Sequence, residues 1–151
     1  EPVVRVYGKN GKSVYIDNAG DIYPSNNQYV PRLLVVSGID FPTNVLGNVS
    51  DEVYVNTNLP QTFNLIKEVL NDNYAKSYVR QIHYDKKKKY IFSVNNTNII
   101  VIFGDVNDIG EKLSKMKHFF DKMLGNPELD NYKEINLNYK NQVVCTKIKN
   151  K

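Results

Sequence analysis

The stretch IIVIFGDVNDIGEKLSKMKHFFDKM, residues 99–123, contains the two elements that decide the fold. Its first five residues, Ile99–Phe103, are all apolar, which is typical of a central strand that is covered on both faces. Asp105 or Asn107 can cap the helix that follows, and Gly125 can end it. Apolar residues recur along this helix at spacings of three and four, as on one face of an amphipathic helix: Val106, Ile109, Leu113, Met116, Phe120 and Met123. A buried strand followed by an amphipathic helix predicts a sheet that is covered by helices.

Upstream of this stretch, two further runs alternate as strands do. SYVRQIHYD (residues 77–85) and YIFSV (residues 90–94) predict a three-stranded meander together with Ile99–Phe103. Before them, TNLPQTFNLIKEVLND (residues 57–72) predicts the first helix, with Thr57 or Asn58 as its cap. The apolar residues of that helix fall on one face: Leu59, Phe63, Ile66 and Leu70.

The two ends of the chain read as short strands. PVVRVY, SVYID and DIYP (residues 2–7, 13–17 and 21–24) are strands, the last two joined by a turn at Asn18–Gly20. An extended buried piece, Leu33–Val36, lies between Pro31 and Pro42, and a loop then reaches Thr57.

The closing stretch YKEINLNYKNQVVCTK (residues 132–147) reads as two strands around a turn at Lys140–Gln142. Ile135, Leu137 and Tyr139 face one way, and the second strand runs over Val143–Ile148. Together these elements predict a single α+β domain over residues 1–151, with a largely antiparallel β-sheet and two main amphipathic helices.

Composition limits the chemistry. The 151 residues carry a formal net charge of +4, and one cysteine, Cys145, excludes an internal disulfide and a cysteine-based metal cluster. His83 and His118, the two histidines, have no carboxylate at metal-ligand spacing on their own elements. We therefore expect no metal and no cofactor, no catalytic constellation, and a binding module.

Three other features of the sequence bear on alternative functions. GKNGKS (residues 8–13) lacks the glycine spacing and the following helix of a phosphate-binding loop, so it predicts a hairpin turn. Lys86–Lys89 could grip phosphates, which keeps a basic nucleic-acid-binding domain as the alternative function, although no aromatic residues are interleaved with the run. A small hydrolase that uses Cys145 would require a histidine to converge on that thiol.

Three passages, taken in order, resemble the extracytoplasmic β domain of the cell-division protein FtsQ (DivIB) family, especially its Bacteroidetes-type members. They are PVVRVYGKNGKSVYIDNAGDIYP, VIFGDVNDIGEKLSKMKHFF and the closing YKEINLNYKNQVVC. The resemblance covers nearly the whole chain. It implies that residues 1–7 form the junction with a preceding POTRA domain that is absent from this chain.

The resemblance also implies a function. Such proteins are single-pass, anchored in the bacterial inner membrane, with the β domain in the periplasm. They are non-enzymatic scaffolds of the divisome that recruit partners of the FtsB and FtsL type to the septum. In the family, the FtsB segment adds a strand to the C-terminal edge of the β domain.

We therefore expect partner binding at the C-terminal edge. An unpaired strand edge offers free N–H and C=O groups to another chain. Family members carry a basic residue just before the turn tyrosine, where this chain has Asn138, so a salt bridge to the partner is not expected here. The expected partner-binding residues form one continuous run: Tyr139, Lys140, Asn141, Gln142, Val143, Val144, Cys145, Thr146 and Lys147.

Overall fold

A computed structural model describes residues 1–25, 33–41 and 47–148 of the chain. Within these residues the chain forms ten strands, three α-helices and two 3-10 turns. The strands are β1 (Pro2–Gly8), β2 (Ser13–Asp17), β3 (Asp21–Pro24), β4 (Leu34–Ile39), β5 (Gly47–Asn48), β6 (Val79–Asp85), β7 (Lys89–Val94), β8 (Ile100–Gly104), β9 (Tyr132–Asn136) and β10 (Val144–Lys147). The helices are α1 (Leu59–Asn71), α2 (Asn73–Tyr78) and α3 (Ile109–Met123), and the 3-10 turns are Glu52–Tyr54 and Pro127–Asn131.

All the described strands belong to one sheet, in the order β10-β9-β8-β7-β6-β4-β1-β2-β3-β5. The pairs β1/β4, β4/β6 and β8/β9 are parallel, and the remaining neighbours are antiparallel. The prediction of an α+β fold with a largely antiparallel sheet is confirmed. The hairpin of β2 and β3 around Asn18–Gly20 and the meander of β6, β7 and β8 are also as predicted.

The helices cover one face of the sheet. Alternate strand residues such as Val36, Phe92 and Val101 are fully buried in one core with Leu65 of α1 and Met116 of α3. The intervening residues form rows across the other face and are mostly at least partly exposed, with Tyr15 and Ile102 as buried exceptions. One such row, read from the paired registers of β4, β6, β7, β8, β9 and β10, is Val35, Gln81, Ser93, Ile100, Glu134 and Thr146.

The central strand is less completely covered than its sequence predicts. Val101 and Phe103 of β8 are fully buried, but Ile100 is 44% exposed. It points to the helix-free face, because it lies opposite Ser93 of β7 and Glu134 of β9.

Helix α2 was not predicted. Ser77 and Tyr78 were assigned to a strand, yet they belong to this short third helix. The cause is local: the carboxylate of Asp72 accepts the backbone N–H groups of Tyr74 and Ala75 and so begins a new helix directly after α1.

The predicted cap of α3 is wrong, whereas Thr57, one of the two residues predicted to cap α1, accepts the backbone N–H of Leu59 at 3.2 Å. Asp108, with a left-handed φ of 54°, occupies the N-cap position of α3 without a side-chain hydrogen bond. Asp105 instead accepts hydrogen bonds from the backbone N–H of Asn107 and from the ammonium of Lys112. Asn58 precedes α1 without capping it, and its side chain accepts the N–H of Asp40.

The described part of the predicted loop, from Gly47 to Thr57, contains regular structure. It contains β5 and a 3-10 turn whose Tyr54 is fully buried. Leu33–Val36, predicted as a buried extended piece, leads into β4 and is part of it from Leu34 onward. Pro31 and Pro42 lie outside the described residues.

The first seven residues take part in this sheet. β1 lies between β4 and β2, and its Val4 and Val6 are fully buried. A POTRA domain before this strand stays a prediction.

Candidate partner-binding edge

Strand β10 lies at the end of the sheet order. Val144, Cys145 and Thr146 pair antiparallel with Asn136, Ile135 and Glu134 of β9. Among the residues that the structure describes, no strand pairs with the outer side of β10. Its outward backbone groups therefore form an edge to which another extended chain could add.

The nine residues expected to bind a partner divide into two parts. Val144–Lys147 form β10, whereas Tyr139–Val143 form the turn and connection that precede it. The backbone N–H of Gln142 donates to the carbonyl of Tyr139 at 3.3 Å, and Asn141 has a φ of 59°. The extended edge is thus limited to four residues.

Apolar groups accompany this edge. Val144 is 39% exposed and points to the helix-free face, and Tyr139 in the turn is 48% exposed. Val143 and Cys145 are partly buried against the core. Tyr139 does not share the buried position of Ile135 and Leu137, contrary to the alternation that the sequence predicted, because the chain has already entered the turn at Tyr139.

Residues distant in sequence hold the closing turn. The ammonium of Lys115 on α3 donates to the carbonyl of Leu137 and, at 2.8 Å, to the carbonyl of Tyr139. The N–H of Leu137 donates to the carbonyl of Ile102, which extends the pairing of β9 with β8 by one residue. These contacts fix the direction in which the chain enters β10. Sequence reasoning missed Lys115, because nothing near it in the sequence signals its contact.

Gly104 and Asn138 meet beside this turn. Gly104 has a φ of +86°, and a Cβ added there would stand 1.8 Å from the side-chain oxygen of Asn138. The backbone N–H and the side-chain amide of Asn138 both donate to the carboxamide oxygen of Asn136. Asn138 therefore packs against the backbone at the end of β8.

The structure gives no support to a Cys145 nucleophile. Burial raises the pKa of the Cys145 thiol, which opposes formation of the reactive thiolate. The Nδ1 of His83 is 2.7 Å from the hydroxyl of Ser37 on the neighbouring strand β4. Among the described residues, no group of three histidine, cysteine or acidic side chains could hold a metal ion.

The lysine run is a hairpin tip. Lys86–Lys89 are exposed, with Lys86–Lys88 between β6 and β7 and Lys89 at the start of β7. The carboxylate of Asp85 accepts hydrogen bonds from the N–H groups of Lys87 and Lys88. Lys88 also approaches Glu134 at 4.0 Å. No described aromatic contact involves these lysines. This arrangement is typical of a solvated turn and does not favour the nucleic-acid alternative.

The segment Gly8–Ser13 contains the β1–β2 turn and is followed by a strand and not by the helix of a phosphate-binding loop.

Comparison with protein families gives a match over nearly the whole chain. The model of the family described as FtsQ/DivIB, C-terminal related, matches residues 1–146. No curated protein matches the sequence. The helices found in the described residues are too short or too polar for any of them to cross a membrane.

Proposed function

The chain belongs to the FtsQ/DivIB C-terminal related family, and from this membership we propose that it is the partner-binding β domain of a bacterial cell-division scaffold. The family acts in cell division without enzymatic activity of its own. In our proposal the domain recruits divisome proteins of the FtsB and FtsL type. The full-length protein is single-pass, with this domain in the periplasm, behind a POTRA domain that precedes Glu1.

One observation carries the proposed mode of binding: β10 is an edge strand with no strand on its outer side among the described residues. Binding by strand addition uses such an edge, because the main chains supply hydrogen bonds and alternate side chains supply specificity. We propose Tyr139–Lys147 as the contact segment, with β10 as the strand that is extended.

Backbone pairing alone is too weak for stable recruitment. About four new hydrogen bonds at ~0.5–1.5 kcal/mol each give a few kcal/mol before the partner segment is ordered. Micromolar affinity requires about 8 kcal/mol. Apolar contacts must therefore supply the remainder, and the exposed parts of Val144 and Tyr139 are available for them.

The test is a proline in the edge strand. Val144→Pro removes a backbone donor and distorts β10, so we expect the affinity for a peptide spanning the β-forming segment of an FtsB-type protein to fall at least tenfold. Isothermal titration calorimetry measures that affinity, and circular dichroism shows whether the domain remains folded.

Val144→Thr is the matched control. Threonine keeps the N–H, the branching and most of the volume of valine, so strand pairing survives and only part of the apolar contact is lost. We expect a modest loss of affinity, below that of the proline variant. Unchanged peptide binding by a folded Val144→Pro domain would refute the assignment of β10 as the binding edge.

A further inference from the structure

A second candidate site lies in the part of the sheet that β1, β4 and β6 form, away from the β10 edge. A groove with a volume of about 940 Å³ opens at the end of the sheet where β1, β4 and β6 begin. These three strands are adjacent and parallel, so their first residues lie side by side. Strands β7, β8 and β9 separate β6 from β10, which places the groove outside the proposed binding edge.

Apolar residues and amide side chains line the groove. Its apolar lining comes from the strand starts and from the end of α1: Val3, Leu33, Leu34, Val35, Val69, Leu70 and Val79. Its uncharged polar lining consists of Asn18, Asn71, Ser77, Gln81 and Asn95. Half of the lining residues are apolar and half are polar, and the volume falls within the ~300–1,000 Å³ range of ligand sites.

The charged side chains among the described lining residues of the groove are both cationic. Lys76 and Arg80 line the groove, and no acidic residue is among the lining residues that the structure describes. The remaining segments of the chain, residues 26–32, 42–46 and 149–151, contain no Asp or Glu at all. Asp72, next to the groove in sequence, directs its carboxylate at the N–H groups of Tyr74 and Ala75.

Both cations are available to a ligand. Lys76 and Arg80 are exposed, and neither side chain forms a salt bridge or a hydrogen bond within the described part of the chain. Among the other polar groups of the groove, the amide of Asn95 donates to the carbonyl of Ser77 at 2.7 Å. A guanidinium suits a carboxylate especially well, because two parallel N–H groups can bind its two oxygens.

We propose that this groove binds a short peptide segment that carries a carboxylate. Arg80 and Lys76 bind the carboxylate. The asparagine and glutamine side chains bind the peptide groups, and the apolar lining residues contact a neighbouring aliphatic side chain of the peptide. A peptide suits the groove better than a bare phosphate, because half of the lining residues are apolar.

Three probe peptides test the proposal on the ¹⁵N-labelled domain by NMR titration. Ac-Leu-Glu-Leu-NH₂ presents a side-chain carboxylate, Ac-Ala-Leu-Ala-OH presents a terminal carboxylate, and Ac-Leu-Gln-Leu-NH₂ is the uncharged control. We expect one or both acids to shift amides at Lys76–Gln81 and Leu33–Val35, and the uncharged peptide to bind at least tenfold more weakly. The acid that binds more tightly identifies the source of the carboxylate.

Two substitutions in the groove, Arg80→Gln and Lys76→Gln, provide a second test of the proposal. Each is expected to weaken the acidic peptide about tenfold, the loss typical of one charge-assisted hydrogen bond. Lys122→Gln, an exposed cation at the end of α3 with no side-chain partner in the described residues, is the matched control and leaves binding unchanged. Equal binding of the acidic and uncharged peptides, equal affinity of the Arg80→Gln variant, or no shifts in the groove at millimolar peptide would each overturn the proposal. The Val144→Pro variant retains this site, so failure at one site is distinguishable from failure at the other.

Discussion

Gly104 shows how one residue determines where the closing hairpin lies. Its φ of +86° is a conformation that residues with a side chain rarely adopt, and the amide of Asn138 occupies the space where a Cβ would be. The end of β8 and the turn before β10 therefore depend on a residue that has no side chain.

Gly104→Ala should destabilise the domain through two separable causes. The left-handed backbone costs about 1–2 kcal/mol for alanine. Displacing the exposed Asn138 carboxamide, whose amide donates to Asn136, adds about 0.5–1.5 kcal/mol, the value of one hydrogen bond. Gly125→Ala is the matched control, because Gly125 has a φ of +77° but nothing within 4 Å of its added Cβ, so only the backbone cost applies. Urea unfolding measures the free energy of unfolding for both variants.

The double variant Gly104→Ala/Asn138→Ala isolates the steric cause. Removing the carboxamide should restore the part of the loss that exceeds the Gly125→Ala value, since neighbouring residues do not contribute additively. If Gly104→Ala and Gly125→Ala were equally stable, the close packing of Asn138 on Gly104 would be wrong.

At the scale of elements, helix α3 supports the β10 edge through Lys115. Its ammonium binds two carbonyl groups of the closing turn, those of Leu137 and Tyr139, and forms no ion pair with a carboxylate in the described part of the chain. Hydrogen bonds to a charged group contribute about 1.5–3 kcal/mol, more than bonds between neutral groups. The helix thus restrains a turn that is otherwise held by the pairing of β10 with β9.

Lys115→Met keeps the aliphatic part of the side chain and removes the donor. We expect hydrogen exchange of the β10 amides, Val144–Lys147, to become about tenfold faster, because local opening of the hairpin becomes easier. Exchange in β7 should stay unchanged, which separates this effect from global destabilisation. Lys122→Met on the same helix is the control, and equal protection of β10 in both variants would contradict the role of Lys115.

Periodicity explains which elements could be predicted from the sequence. α1, α3 and the meander repeat apolar residues over enough positions to reveal their period. α2 is six residues long and β5 only two, so neither offers a full pattern. The closing hairpin was predicted from local alternation. Its contacts with Lys115 and Gly104 could not be, because they join residues that come together only when the sheet order is set.

At the scale of the whole molecule, ionisable groups with shifted pKa values define a range of pH in which the fold is most stable. The backbone N–H of Lys88 is the main cause that lowers the pKa of Asp85 below 3.8, and the N–H of Asn107 does the same for Asp105. Burial is the main cause that raises the pKa values of Tyr78 and Tyr90 above 10.0. These shifts act at opposite ends of the pH scale.

The sign of each effect follows from proton linkage. A carboxyl group whose pKa is lower in the folded state stabilises the fold above about pH 4, and that stabilisation is lost as the pH falls. A phenol whose pKa is raised stabilises the fold below about pH 10, and that stabilisation is lost as the pH rises through its folded value. We therefore expect the melting temperature to be nearly constant between about pH 5 and 9 and to fall on both sides.

Single substitutions should change one side of this profile at a time. Asp85→Asn removes the titrating carboxyl group and should flatten the acidic side. Tyr90→Phe should flatten the alkaline side, while Thr62, which contacts the Tyr90 hydroxyl at 2.5 Å, keeps its bond to the carbonyl of Asn58. Scanning calorimetry from pH 3 to 11 measures both, with Tyr139→Phe in the half-exposed turn as the control. An alkaline side that is as steep in Tyr90→Phe as in the unmodified domain would show that the buried phenol does not contribute, and the loss would then belong to the remaining tyrosines and lysines.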